Sequence, residues 1–145
     1  CVKVFIEMHD EHAIKNTQPY PDVIETLEKL NSKKVFMAIA TNKRRAPTIK
    51  LINHYNWQDY FITIECSDDK SFIRNKDEMI KDILNKNKNF SKAFFIGDTV
   101  NDGLSANLSK LPFIKAEYGY GRDQDWSKIN VERKIKKLSQ ILQII

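Results

Sequence analysis

Short, almost wholly apolar runs alternate with segments of helical periodicity along most of this sequence. Runs such as 35–40 (VFMAIA) and 93–96 (AFFI) have the composition of strands that are buried on both faces. Strands that alternate with helices are joined by crossovers and lie parallel, so the sequence predicts an α/β fold with a doubly wound, Rossmann-like parallel sheet. The predicted strands are 35–40, 61–64, 93–96 and 112–115, and the predicted helices are 23–33, 46–55, 77–86, 102–109 and 131–143.

The first sixteen residues carry two overlapping patterns. Val2, Val4 and Ile6 alternate as in a strand, whereas Phe5 and Met8 fit one face of a helix. We favour a helix for this segment. Its HDEH stretch has two histidines at helical spacing, but a zinc site needs a third ligand and supporting contacts. An exposed, charged helix face is therefore the preferred interpretation of that stretch.

Composition argues against several classes of protein. The 145 residues match the size of one domain, and no run approaches the roughly 20 apolar residues of a membrane helix. Cys1 and Cys66 are too few and too far apart for a disulfide scaffold, so we expect a cytoplasmic protein. The net charge of +5 comes from lysines interleaved with acidic residues, without a basic stripe that carries aromatics. We therefore expect no nucleic-acid or membrane partner, and a basic nucleic-acid-binding domain is a rival interpretation only.

Polar side chains follow three of the predicted strands. Thr41 and Asn42 come after the first, Lys76 ends the loop after the second, and Asp98 and Asp102 follow the third. Because ligands of such sheets sit beyond the carboxyl ends of the strands, these residues are expected to converge. The hydroxyl and amide suit phosphoryl oxygens, the lysine supplies a positive charge, and Asp98 is a hard oxygen ligand of the kind that Mg²⁺ selects. Asp102 would reach the metal through water or pair with Lys76.

Simpler interpretations exist for each residue taken alone. Thr41 and Asn42 are common turn residues, and Asp102 at a helix start can be an ordinary N-cap. Lys76 by itself indicates almost nothing. The joint occurrence of these residues, in this order and after these strands, favours a phosphate site.

The sequence resembles the haloacid dehalogenase superfamily of phosphohydrolases, in particular its phosphoglycolate-phosphatase-like branch. The resemblance rests on PYPDVIETLEKL, AIATNK, a lysine ahead of DEMI, FIGDTVND and YGYG, in the family's order. It implies a Mg²⁺-dependent phosphatase of small phosphate esters. Thr41 and Asn42 would bind the phosphoryl group, Lys76 would stabilise it, and Asp98 would hold Mg²⁺ with the assistance of Asp102. Thr41 and Lys76 would thus be the catalytic residues of this chain.

The family's nucleophile motif, D-x-D-G-T on the first core strand, does not occur in these residues. By the resemblance, residues 1–18 are the remnant of a helix of the cap domain, and 19–145 form the core without its first strand. Asp10 as a displaced nucleophile is a minor alternative. The sheet would then expose unpaired inner edges, which folded proteins rarely leave open.

We therefore expect the chain to be part of a longer protein, whose missing N-terminal segment carries the nucleophile that forms an aspartyl-phosphate. The expected partner is a small phosphorylated metabolite. As written, this chain should not turn over a substrate. The competing hypothesis is a non-catalytic, truncated binding or interaction module of the same family.

Overall fold

The computed structural model of the chain describes the backbone of residues 2–6 and the whole of residues 18–88 and 90–145. Between residues 23 and 116, strands and helices alternate as the sequence predicts. The strands are β1 (Val2–Ile6), β2 (Phe36–Thr41), β3 (Phe61–Cys66), β4 (Lys92–Gly97), β5 (Phe113–Ala116) and β6 (Arg133–Ile135), and the helices are α1 (Val23–Ser32), α2 (Arg45–His54), α3 (Lys76–Lys86), α4 (Val100–Leu108) and a 3₁₀ helix (Leu138–Gln143).

The six strands form one sheet in the order β3-β2-β1-β4-β5-β6, and each neighbouring pair is parallel. Apolar residues of α1, α2 and the 3₁₀ helix cover one face, and those of α3 and α4 cover the other. Covering both faces is what makes the strands of the sequence continuously apolar. The predicted doubly wound α/β fold is confirmed.

The strand β1 lies in the middle of the sheet, where the sequence analysis expected a gap. Val4 stands opposite Met37 of β2 on one side and Phe94 of β4 on the other. The helix preferred for this segment is therefore wrong over Val2–Ile6. A central position offers backbone partners on both sides, and that tertiary context overrides a marginal helical pattern.

The remaining residues of that predicted helix, 1 and 7–16, lie outside the described residues, and these include Asp10 and the HDEH stretch. Because Val2–Ile6 form a central strand of the sheet, the expected cap remnant does not include these residues, and the expected gap at the first core strand is filled. For the other residues up to 18, the assignment to a cap remnant stays a prediction.

The C-terminal helix predicted for 131–143 is also wrong. This segment forms β6, which pairs with β5, and then the 3₁₀ helix that packs against α1. Its apolar residues Ile135, Leu138 and Ile141 recur at three-residue spacing and are all buried, but they belong to two elements. Charged residues on a three-residue strand are typical of a protected sheet edge.

None of the helices in the described part of the chain is long and apolar enough to cross a membrane.

Candidate phosphate and metal site

Thr41 is the last residue of β2, and its side chain is buried. The N–H group of Lys43 donates to Thr41 Oγ1 at 3.2 Å, so the hydroxyl organises the turn that leaves the strand. Asn42 is exposed between them. The predicted pair therefore lies where β2 gives way to loop, at the carboxyl edge of the sheet.

Asp98 follows β4 directly and is held by a loop that comes after β5. Its Oδ2 accepts a hydrogen bond from the N–H group of Tyr120 at 2.7 Å, and its carbonyl oxygen accepts one from Gly121 at 3.0 Å. A Cβ added at Gly119 would lie 2.1 Å from Asp98 Oδ2. Glycine is therefore required there because the backbone approaches the carboxylate too closely for any side chain.

Asp102 lies in the first turn of α4 and is fully buried. Its Oδ2 accepts hydrogen bonds from the N–H groups of Asp98 and Thr99 at 3.2 and 2.9 Å, and from Thr99 Oγ1 at 2.7 Å. Thr99, rather than Asp102, is the N-cap residue, and the two form a capping box. Gly97 leaves room for this arrangement, since a Cβ there would lie 2.4 Å from Asp102 Cβ.

Lys76 is the first residue of α3 and is only 2% exposed. The capping box of Asn75 and Glu78 begins the helix at this residue and directs the long side chain inward. Its Nζ donates to Asp102 Oδ1 at 2.5 Å. This contact corresponds to the second of the two roles that the sequence left open for Asp102.

The structure thus brings Lys76, Asp102 and Asp98 together through direct hydrogen bonds. Thr41 lies at the same carboxyl edge, on β2, separated from β4 by the single strand β1. Within the described residues, the hydrogen bond found for Thr41 joins it to Lys43 of its own turn rather than to Lys76, Asp98 or Asp102.

The donor set can be compared with what Mg²⁺ requires. The described residues contain no group of three or more His, Cys, Asp and Glu side chains that could hold a metal. Mg²⁺ usually takes only one or two carboxylates, with waters and substrate phosphate as further ligands, so Asp98 suits it. Asp102 has hydrogen bonds at both oxygens, which favours its pairing with Lys76. The metal roles of both residues stay predictions.

Two tyrosines lie close enough to Asp98 for its charge to affect them. The rings of Tyr20 and Tyr118 meet edge to face at 4.9 Å between centroids. Burial raises the pKa of Tyr118 above its usual range, and the negative charges of Asp22 and Asp98 raise it further. Burial, followed by Tyr120 and Asp98, likewise raises the pKa of Tyr20. Both phenols therefore stay protonated near neutral pH.

The sequence analysis missed the residues that support this site. It used YGYG only as a marker of resemblance, although two glycines so close together after a strand could have indicated a close backbone approach. It did not assign Thr99 as the N-cap. It also gave no role to Arg74, a buried arginine two residues before Lys76.

Comparison with known proteins places the chain in a family. The model of the haloacid dehalogenase-like hydrolase family matches residues 1–116. A phosphoglycolate phosphatase of Agrobacterium fabrum is 30% identical over 105 residues, which are 72% of this chain and 45% of that protein. One from Aquifex aeolicus is 31% identical over 122 residues, or 82% of this chain and 56% of that protein. The chain thus spans about half the length of these curated relatives.

Solved structures agree with this placement. A haloacid dehalogenase-superfamily hydrolase from Ehrlichia chaffeensis has a TM-score of 0.71 and 26% identity, over 95% of this chain and 61% of that one. A haloacid dehalogenase-like hydrolase from Streptococcus pneumoniae shares the fold, with a TM-score of 0.75 and 21% identity over 86% of this chain and 59% of that one. The chain therefore belongs to the haloacid dehalogenase-like hydrolases.

Proposed function

We propose that this chain is the core of a Mg²⁺-dependent phosphatase that acts on small phosphate esters, as in the phosphoglycolate-phosphatase-like branch of its family. The nucleophilic aspartate lies outside the chain in this proposal, and its strand would have to take the central position that Val2–Ile6 hold in this structure. The activity then belongs to the whole protein, to which this chain contributes groups that bind and neutralise the phosphoryl group.

The observation that carries the proposal is the buried Lys76–Asp102 pair, which adjoins Asp98 at the carboxyl edge of the sheet. Ionised groups with 1% and 0% exposed side chains are costly to bury, and such pairs are weak contributors to stability. Their presence beside a further carboxylate and beyond parallel strands is typical of a site for an anion and a cation.

The chemistry divides between this chain and the rest of the protein. An aspartate carboxylate attacks phosphorus, the ester P–O bond breaks, and a second carboxyl group protonates the departing oxygen. Water then hydrolyses the aspartyl-phosphate. In this chain, Lys76 would neutralise phosphoryl charge, and Thr41 and Asn42 would donate hydrogen bonds to its oxygens. Asp98 would hold Mg²⁺, with the assistance of Asp102. A bound Mg²⁺ supplies further neutralisation of the developing negative charge.

The substrate is proposed to be a small phosphorylated metabolite. Several relatives bear the name phosphoglycolate phosphatase, which makes phosphoglycolate the first compound to test. A cytoplasmic location is part of the proposal, because a chain with two distant cysteines suits a reducing compartment.

Substitution of Asp98 tests the metal role. Calorimetry measures the binding of Mg²⁺ in the presence of inorganic phosphate. We expect Mg²⁺ to bind at least about 10-fold more weakly to Asp98→Asn than to the parent chain. Asp123→Asn neutralises an exposed carboxylate on the loop after β5 and serves as the matched control. This variant should bind Mg²⁺ like the parent chain. Equal Mg²⁺ affinity in Asp98→Asn and the parent would refute the role.

The absence of D-x-D-G-T from these 145 residues favours a second candidate, a non-catalytic binding or interaction module. The two candidates differ in the longer gene product. The phosphatase hydrolyses phosphoglycolate or p-nitrophenyl phosphate with Mg²⁺ and loses that activity in Asp98→Asn. The module binds phosphate without turnover, even when every upstream residue is present.

A further inference from the structure

Arg74 is a buried side chain beside the site that makes several hydrogen bonds. It is 2% exposed, and its guanidinium spans the end of β3 and the helix α3. Nη2 donates to Glu65 Oε2 at 2.6 Å and to the carbonyl oxygen of Cys66 at 3.0 Å, while Nη1 donates to Asp82 Oδ2 at 2.7 Å. The side chain therefore ties the strand end to the helix that begins with Lys76.

The backbone of Arg74 also closes the loop that connects these two elements. Its N–H group donates to the carbonyl oxygen of Ser67 at 3.0 Å. Ser67 in turn donates from its N–H group and its hydroxyl to the carbonyl oxygen of Lys43, at 3.2 and 3.3 Å. A continuous series of hydrogen bonds thus runs from the turn after Thr41 to the residue two places before Lys76.

Both ends of the lysine are then fixed. The Lys76 ammonium group is held by Asp102, and the start of its helix is held by the contacts of Arg74. The turn after Thr41 is joined to the same network through Ser67. The network therefore connects the start of the helix that carries Lys76 with the turn that follows Thr41.

We propose that Arg74 is a positioning residue, which fixes the loop over residues 67–75 so that the Lys76 ammonium group and the Thr41–Asn42 segment meet one phosphoryl group. This inference rests on the phosphate site of the proposed function, and it adds a residue that does not touch the phosphate itself.

The chemistry of arginine suits this task. Its planar, rigid fork contacts several acceptors in fixed directions, whereas an ammonium group on a flexible stem does not. Each of the three carboxylates paired with Arg74 is also contacted by a second cation from the surface, so charge balance alone does not require the guanidinium. These pairs are Glu65 with Lys86, Asp69 with Arg45, and Asp82 with Lys70.

One hydrogen-bond donor of the Arg74 guanidinium, the Nε–H group, differs from the others. Within the described part of the chain, the buried Nε has no hydrogen-bond partner. A buried donor without a partner is rare in proteins. The guanidinium is thus held in an orientation that serves its two Nη groups, which is consistent with a geometric role.

Arg74→Lys and Arg74→Met test the inference, with inorganic phosphate and Mg²⁺ as the probes. We expect phosphate binding, followed by ³¹P NMR, to weaken about 10-fold or more in both variants. Lys86→Met is the matched control, because it removes the surface cation from the same Glu65 and should bind phosphate like the parent chain. The ¹⁵N signal of the Lys76 ammonium group should shift or vanish in the Arg74 variants only.

The outcomes separate this inference from the proposed function. If the parent chain does not bind phosphate, the proposed function fails first. If the parent binds and a folded Arg74→Lys variant binds equally well with an unchanged Lys76 signal, Arg74 is structural and the inference is overturned. Should neither Arg74 variant fold, Glu65→Gln decides the question. This change weakens the interaction with Arg74 Nη2 and keeps the arginine itself. An unchanged phosphate affinity of Glu65→Gln also overturns the inference.

Discussion

At the scale of single residues, Asp102 is the junction of the site. It accepts hydrogen bonds from Lys76 Nζ on one oxygen, and from Asp98 N, Thr99 N and Thr99 Oγ1 on the other. Backbone N–H groups at the start of α4 stabilise its negative charge together with the helix dipole. These donors surround the buried carboxylate of Asp102, which holds the lysine in place.

Removing one member of the Lys76–Asp102 pair should lower the stability of the fold more than removing both members. Lys76→Met leaves a buried carboxylate, and Asp102→Asn leaves a buried ammonium group, so each is expected to lower the free energy of unfolding by about 3–5 kcal/mol. The double variant should lose less than the sum of the two. Urea unfolding of the four proteins measures this difference.

The exposed pair of Lys29 and Glu25 provides a control at the same 2.5 Å separation. Lys29→Met should leave the unfolding midpoint nearly unchanged, because exposed pairs are screened by water. Additive losses for Lys76→Met and Asp102→Asn would contradict the coupling inferred from the structure.

At the scale of elements, the β3–α3 connection concentrates buried charge. Asp69 pairs with Arg45 and accepts a hydrogen bond from the N–H group of Cys66 at 2.7 Å. Burial opposes ionisation of Asp69, but the hydrogen bonds from Arg45 and Cys66 and the nearby guanidinium charges prevail and lower its pKa. The loop is therefore stabilised by a carboxylate that must remain charged.

This lowered pKa predicts a pH dependence of stability. Because the pKa of Asp69 is lower in the folded chain than its ordinary value of 3.8, its stabilising contribution is complete above that value and is lost as the pH falls through the folded pKa. Asp69→Asn should therefore lower the free energy of unfolding at pH 7 and flatten its decline between about pH 5 and pH 2. Chemical unfolding at a series of pH values measures both effects.

Asp123→Asn, at an exposed position, is the control. It should leave the decline of the free energy of unfolding at acid pH unchanged. If the free energy of unfolding falls equally steeply at acid pH in Asp69→Asn and in the parent, the charge of Asp69 does not stabilise the loop.

The elements also show which sequence signals are sufficient to predict a strand or a helix. Continuous apolar runs predict β2 and β4 within a residue or two, since strands buried on both faces admit little else. Spacing alone misassigned the segment with Ile135 and Leu138, because three-residue spacing suits a helix as well as a short strand followed by a 3₁₀ turn. The pairing of β6 with β5 is a long-range contact that local periodicity does not encode.

The same distinction holds within the site. Strand ends and residue chemistry place Thr41 and Asp98 at one edge of the sheet, as the sequence predicts. The close approach of Gly119 to Asp98 depends on where the loop after β5 returns, and the sequence pattern alone does not determine it. The choice between two roles for Asp102 likewise required the position of Lys76.

At the scale of the whole molecule, β1 determines whether the sheet is continuous. Val2–Ile6 pairs with β2 on one side and with β4 on the other, and so joins the strand that ends in Thr41 to the strand that leads to Asp98. Only backbone pairing on both sides satisfies the inner edges of β2 and β4. The relative placement of the two halves of the site therefore depends on this strand.

Amide hydrogen exchange is the direct measurement of this arrangement. We expect the amides of Val2–Ile6 that face β2 or β4 to exchange as slowly as those of the neighbouring strands, through global unfolding. The edge strand β6 pairs on one side only and serves as the internal control, with faster exchange through local opening. If residues 2–6 exchange rapidly while β2 and β4 stay protected, this segment does not hold the centre of the sheet. The inner edges of β2 and β4 would then require a strand from outside these residues, in the position where the nucleophile is proposed to lie.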